Sequence, residues 1–262
     1  MKLLLPKHIL YLMIMILMLS CGLVGGGGGG DPATPVPVQA QPTLEEAPTQ
    51  QSVEPTAVQK YFQEDFNGSL SDWSRFVVDG SKVAKGGNST LSDGDFGNMS
   101  VDIKDGFLVF DLKDPGQWVY DIYNAQEYDD VRLDVSATNR GTNDNNISLI
   151  CRYSPDQGWY EFNIANNGLY KIYYAKIKSS NIVVYGLLAD GGYNKIKQGK
   201  ETNELGISCK GRTLTLFINN FKIKQLDDNQ YVLRTGKIGL SVSSFINLPA
   251  TVEFDWAKIS QP

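Results

Sequence analysis

Ten short runs between residues 106 and 259 place apolar and polar side chains alternately, and each run ends near Gly, Asn, Asp or Ser. They are "GFLVFDL" (106–112), "QWVYDIY" (117–123), "VRLDVSA" (131–137), "ISLICRY" (147–153) and "WYEFNI" (159–164). The others are "GLYKIYYAKI" (168–177), "ELGISCK" (204–210), "TLTLFI" (213–218), "KIGLSVS" (237–243) and "TVEFDWAKI" (251–259). Successive strand side chains point to opposite faces, so a period of two marks half-buried antiparallel strands, and nothing here sustains the 3.6-residue stripe of a helix. From residue 61 onward the chain is therefore expected to be one all-β domain, 61–262. Roughly ten to thirteen strands would form a two-sheet antiparallel β-sandwich of jelly-roll type.

The first sixty residues have a different texture. Lys2 and Lys7 precede an apolar run from Ile9 to Leu19, which is far shorter than the roughly 20 residues that span a bilayer. That is the pattern of a secretory signal peptide over 1–20. "MLSC" at 18–21 resembles a bacterial lipobox, with Cys21 as the residue that would carry lipid; an ordinary signal peptide cut near Ser20 or Gly22 is the alternative. Six glycines at 25–30 and then a proline-studded stretch give residues 21–60 the composition of a tether. Such a spacer suits a protein anchored to a bacterial membrane by an N-terminal lipid and displayed outside the cytoplasm.

Charge and histidine content narrow the chemistry. The formal charge is −5, and −7 once Lys2 and Lys7 leave with the leader. With no basic block, the folded part is not expected to bind nucleic acid, and its membrane contact is assigned to the lipid alone. The single histidine, His8, lies in the leader, which removes Ser-His-Asp, Cys-His and histidine-metal chemistry from the domain. A monomer is expected.

Several blocks carry a family resemblance: "YFQEDFNGSLSDWS" at the opening, "LICRYSPDQGWYEFNIANNGLYKIYY", "NELGISCKGRTLTLFINN", "TGKIGLSVSS" and the closing "VEFDWAKI". In this order they resemble the concanavalin A-like lectin/glucanase domains, with laminin-G-like and 3-keto-disaccharide-hydrolase-type domains of bacterial surface lipoproteins as nearest kin. The resemblance spans about residues 62–260. It implies a curved sandwich whose concave face binds glycans, while leaving activity open. It also implies that the opening and closing strands pair.

Glu253 and Asp255 test the enzymatic side of that resemblance. Retaining β-glucanases of this fold class carry Glu-x-Asp-x-x-Glu on one strand, but here the last position is Lys258, a cation where an acid is required. Retaining chemistry needs its second carboxyl about 5 Å away. Catalysis is therefore not expected at this strand, with Phe254 and Trp256 facing the core and Glu253 and Asp255 facing out. Asp65 and Asp255, brought close by the terminal strands, could instead share a structural Ca²⁺, or be solvated strand-end charges.

Cys151 and Cys209 both sit in the apolar phase of their strands and would form either a disulfide, which the resemblance favours, or two buried thiols. For a glycan site, "CRYSPDQGWYEFNI" offers the mix of aromatic platforms and planar polar groups that saccharides require. With Tyr160, Phe162 and Ile164 toward the core, Trp159, Glu161 and Asn163 face the other way, with Arg152 from the strand before. On the next strand either Lys171 and Tyr173 or Tyr170 and Tyr174 join them, and Trp118 and Tyr120 extend the face. The expected function is a non-catalytic glycan-binding surface lipoprotein. The rivals are a hydrolase or lyase of the 3-keto-disaccharide type, working through Glu161 with Asp or Tyr partners, and a structural or protein-binding module.

Overall fold

The computed structural model describes residues 59–83, 86–92 and 97–262. The signal peptide, Cys21 and all but the last two residues of the tether lie outside the described residues. Sixteen strands run in chain order, beginning with β1 (Phe62–Glu64), β2 (Trp73–Asp79), β3 (Ser89–Leu91), β4 (Met99–Lys104), β5 (Phe107–Leu112) and β6 (Gln117–Tyr123). Next come β7 (Val131–Asn139), β8 (Asn145–Ser154), β9 (Gly158–Ala165), β10 (Leu169–Ile177) and β11 (Ile182–Gly192). The chain ends with β12 (Thr202–Lys210), β13 (Thr213–Ile218), β14 (Phe221–Asp227), β15 (Lys237–Ser244) and β16 (Ala250–Ser260). A short 3-10 turn at Ser179–Asn181 precedes β11.

The strands form two antiparallel sheets. One runs β14-β13-β12-β7-β16-β5-β4, and β1 joins it by pairing with the end of β16, Phe62 opposite Ile259 and Glu64 opposite Ala257. The other runs β10-β11-β3-β2-β6-β15-β8-β9 and closes on itself, because β9 also pairs with β10. The three-residue β3 completes the circle with two residue pairs to β2 and two to β11.

Alternation decides what each face buries. On β9, Tyr160, Phe162 and Ile164 enter the core between the sheets, together with Phe110, Leu133, Val135, Leu216 and Phe254 from the facing sheet. The opposite face of the closed sheet builds a second, smaller core of Val78, Tyr120, Ile122, Ile150, Trp159, Ala175 and Val183. Phe76 stacks on Tyr120 at 4.5 Å between centroids, and the edges of both rings meet Trp159. Part of the concave surface is therefore filled with aromatic rings, and the remainder is left as a cavity.

Cys151 on β8 and Cys209 on β12 are disulfide-bonded, so one covalent link ties the two sheets together across the core. The terminal strand departs from strict alternation. A bulge between Phe254 and Trp256 turns the phase of β16, so Val252, Phe254, Ala257 and Ile259 are buried while Trp256 is not. Trp256 thus lies on the outer face beside Phe217 and Lys258, not in the core where unbroken alternation places it.

Candidate functional site

The site is built outward from Glu161, whose position on β9 aims it into the closed sheet beside Ile150 of β8 and Tyr173 of β10. Glu161 is 2% exposed. Its Oε2 accepts from the Tyr120 hydroxyl at 2.8 Å and from Trp159 Nε1 at 3.2 Å, and its Oε1 accepts from Ser148 Oγ at 3.0 Å. Burial pushes this carboxyl above the usual range, and the donors Tyr120, Trp159 and Ser148, with the Asn163 amide nearby, oppose that rise. The network continues from the Tyr120 hydroxyl to the Tyr185 hydroxyl at 2.8 Å. Burial and the neighbouring Glu161 raise the pKa of both phenols, so both stay protonated.

Above this floor opens a cavity of about 380 Å³. Asn163, Lys171, Tyr173 and Glu161 line it, as do Trp118, Asn146 and Tyr185. Antiparallel register explains the gathering: Asn163 is opposite both Ser148 and Lys171, while Trp118 and Asn146 both flank Ser243 of β15. The indole of Trp118 can lie flat because position 80 is glycine, where a Cβ would sit 2.1 Å from the ring. Trp118 and Tyr173 each pack against Tyr185, at 5.8 and 5.9 Å between centroids. The hydroxyls of Ser241 and Ser243, on the same face, are buried and have no hydrogen-bond partner in the protein.

Not every residue expected at the glycan face lines this cavity. Trp159 is fully buried beneath it, where its indole N–H holds Glu161. Arg152 sits at a bulge of β8 with φ 55°, which swings its side chain away from the concave surface. There its guanidinium donates to the carbonyls of Asp129 and Leu233, at 3.0 and 2.7 Å, and pins two loops. Tyr120 lies under the cavity in the second core, whereas Trp118 forms part of its wall. Of the two alternatives on β10, Lys171 and Tyr173 line the cavity; of the other pair, Tyr170 belongs to the main core yet also reaches the cavity wall, and Tyr174 packs toward that core.

The acids of the terminal strands lie elsewhere. Glu253 occupies the outward phase of β16 in the other sheet and pairs with Arg140 at 2.6 Å. Asp65 accepts from Gln63 Nε2 at 2.6 Å, and Asp255 is exposed. Among the described residues no group of three or more His, Cys, Asp or Glu side chains converges as a cation site.

Asn146 and Tyr185 are cavity residues that sequence reasoning passed over. The signal for Asn146 was present, because it shares the phase of Ser148 and Ile150, opposite to Leu149 and Cys151. Tyr185 had no such signal: β11 is interrupted by Gly186 and buries neither face fully.

Chemically, the cavity combines aromatic faces with amides, one ammonium and a carboxyl whose oxygens are already engaged. It contains one carboxyl among its lining residues, whereas glycoside hydrolysis uses two. A curved sandwich with such a cavity belongs to the architecture of carbohydrate-binding and glycoside-hydrolase-like β-sandwiches. A family model for the 3-keto-alpha-glucoside-1,2-lyase-like domain matches residues 61–260, and the chain belongs to that family.

Solved structures show the same fold. A glycoside hydrolase family 16 enzyme of a Bacteroides ovatus mixed-linkage glucan locus, in complex with its G4G4G3G product, aligns with TM-score 0.54 and 14% identity. That alignment covers 76% of this chain and 99% of the enzyme. A β-1,3-1,4-glucanase (lichenase) from a mouse hindgut metagenome gives 0.54 and 12%, covering 78% of this chain and 100% of that one. A Bacillus subtilis protein with a galectin-like fold gives 0.54 and 10%, covering 76% and 94%. No curated protein sequence matches the chain.

Proposed function

We propose that the protein is a non-catalytic glycan-binding module, carried outside the cytoplasm on a lipid at Cys21, and that the cavity beneath Trp118, Tyr173 and Tyr185 holds one end of a saccharide. Aromatic faces stack on the C–H faces of a sugar ring, and Asn146 and Asn163 can exchange hydrogen bonds with its hydroxyls. The observation that carries the reading is the state of Glu161. Three donors already hold its two oxygens and no second carboxylate lines the cavity, so it orders the floor and does not serve as half of an acid/base pair.

The test is a glycan array with the full chain, repeated with Trp118→Ala and Asn163→Ala. Binding that both substitutions weaken supports the proposal, and silence across all glycans overturns it. The family match favours a second reading, cleavage of 3-keto-α-glucosides. In that reaction the Glu161–Tyr120–Tyr185 network would move the proton. Incubation with 3-keto-glucosides, followed by product analysis, separates the two, since turnover abolished by Glu161→Gln would make the protein an enzyme.

A further inference from the structure

Lys171 is the one cation among the residues lining the cavity, and among the described residues no carboxylate oxygen lies within 4.0 Å of its ammonium. Arg75, Arg132, Arg140 and Arg152, by contrast, each reach an aspartate or glutamate, and none of the four lines the cavity. Its cross-strand neighbours are Asn163 on β9 and the exposed Asp190 on β11, and neither bonds to it. Glu161, one alternation along β9, has its oxygens held by Tyr120, Trp159 and Ser148.

The cavity thus presents an ammonium that forms no ion pair among the described residues, with Asp190 as its cross-strand carboxylate, on a chain whose net charge is −5. The field of the whole molecule repels anions, so any anion preference must come from this local group. Beside it are neutral groups suited to the rest of a charged sugar: the Asn163 amide directly across the strand pair and the Asn146 amide in the same wall. Charge-assisted hydrogen bonds of an ammonium to a carboxylate or sulfate are stronger than neutral ones.

We propose that the cavity selects a saccharide end bearing an anionic substituent, a uronate carboxylate or a sulfate ester, with Lys171 as its counter-ion. The proposal rests on the glycan-binding reading above and names the class of ligand.

Calorimetric titration of the full chain with trigalacturonate, a chondroitin sulfate tetrasaccharide, its desulfated form, cellotriose and laminaritriose tests it. An acidic probe should bind at least about ten-fold tighter than the neutral ones, and Lys171→Gln should remove roughly that factor. Lys171→Arg should retain most of it. Lys171 is solvent-exposed, so neither substitution should change the melting temperature. Tight binding of trigalacturonate shows that a carboxylate alone suffices; the chondroitin probe carries uronates as well, so only its preference over the desulfated chondroitin tetrasaccharide identifies a sulfate. Equal binding of neutral and acidic probes, or acidic binding unchanged in Lys171→Gln, overturns the anion proposal and leaves glycan binding standing. No binding of any saccharide overturns both.

Discussion

Asp121 and Asp228 are both buried, at 1% and 3% exposure, yet their surroundings drive them in opposite directions. Asp121 meets only Arg75, at 3.5 Å, and its Oδ2 has no partner. Burial pushes its pKa up from 3.8 to about 6, with Arg75 opposing. A carboxyl raised in the folded state stabilises fully below its unfolded value, and that contribution is lost as pH rises through the folded one. Stability should therefore fall by roughly 2 kcal/mol between pH 4 and 7 from this group alone. Asp121→Asn should flatten that slope in urea titrations across the range, so that its deficit against the parent shrinks or reverses at neutral pH.

Asp228 behaves in the opposite sense. Burial would raise its carboxyl, but the Tyr160 hydroxyl and the backbone N–H groups of Gln230, Tyr231 and Val232 together outweigh burial and hold it below the usual carboxylate range. Its contribution is complete above the unfolded value and is lost as pH falls through the folded one. Asp228→Asn keeps the shape while replacing one acceptor by a donor facing these N–H groups. It should cost roughly 3 kcal/mol at neutral pH and less in acid, as read from urea midpoints at pH 7 and pH 3.

At the scale of elements, the disulfide is the feature with the largest single predicted effect. It joins β8 of the closed sheet to β12 of the other across 58 residues of sequence. Constraining a loop of that length in the unfolded chain is worth about 4 kcal/mol in the entropic model. The double variant Cys151→Ala/Cys209→Ala should lower urea-unfolding stability by about that amount, and reduction with dithiothreitol should move the parent the same way. If neither changes the midpoint, the bridge carries no part of the fold's stability.

The strands flanking this bridge, and Glu161, Asn163, Lys171 and Tyr173 among the residues that line the cavity from β9 and β10, were legible because their faces differ. One side is buried in the core and the other is polar or half-wet, which is the condition that writes a period of two into the sequence. Strands β3, β11 and β14 lacked that contrast. The pairing that closes the second sheet rests on three residues, too few for any period to register. Arg152 and Trp256 misled for a related reason, because a bulge inserts a residue and reverses the phase of the strand beyond it. Composition had no means to show that Trp159 fills the concave surface, since an aromatic residue in that phase suits a buried floor as well as an exposed platform.

For the whole molecule, charge and attachment belong to one argument. A folded part this acidic is repelled by an anionic bilayer surface, whose field decays over about 8 Å at physiological salt. The proposed anchor at Cys21 would therefore hold the protein to a membrane through lipid and not through surface charge. The anchor itself acts through acyl chains, at about 0.8 kcal/mol for each buried CH₂, and needs nothing from the β-sandwich. Cys21→Ser should thus transfer the protein from the detergent-rich to the aqueous phase on cloud-point partition, with the melting temperature and glycan binding of the released protein unchanged. A parent protein that already partitions into the aqueous phase, or a variant that stays with the membrane after an alkaline wash, would remove Cys21 as the point of attachment.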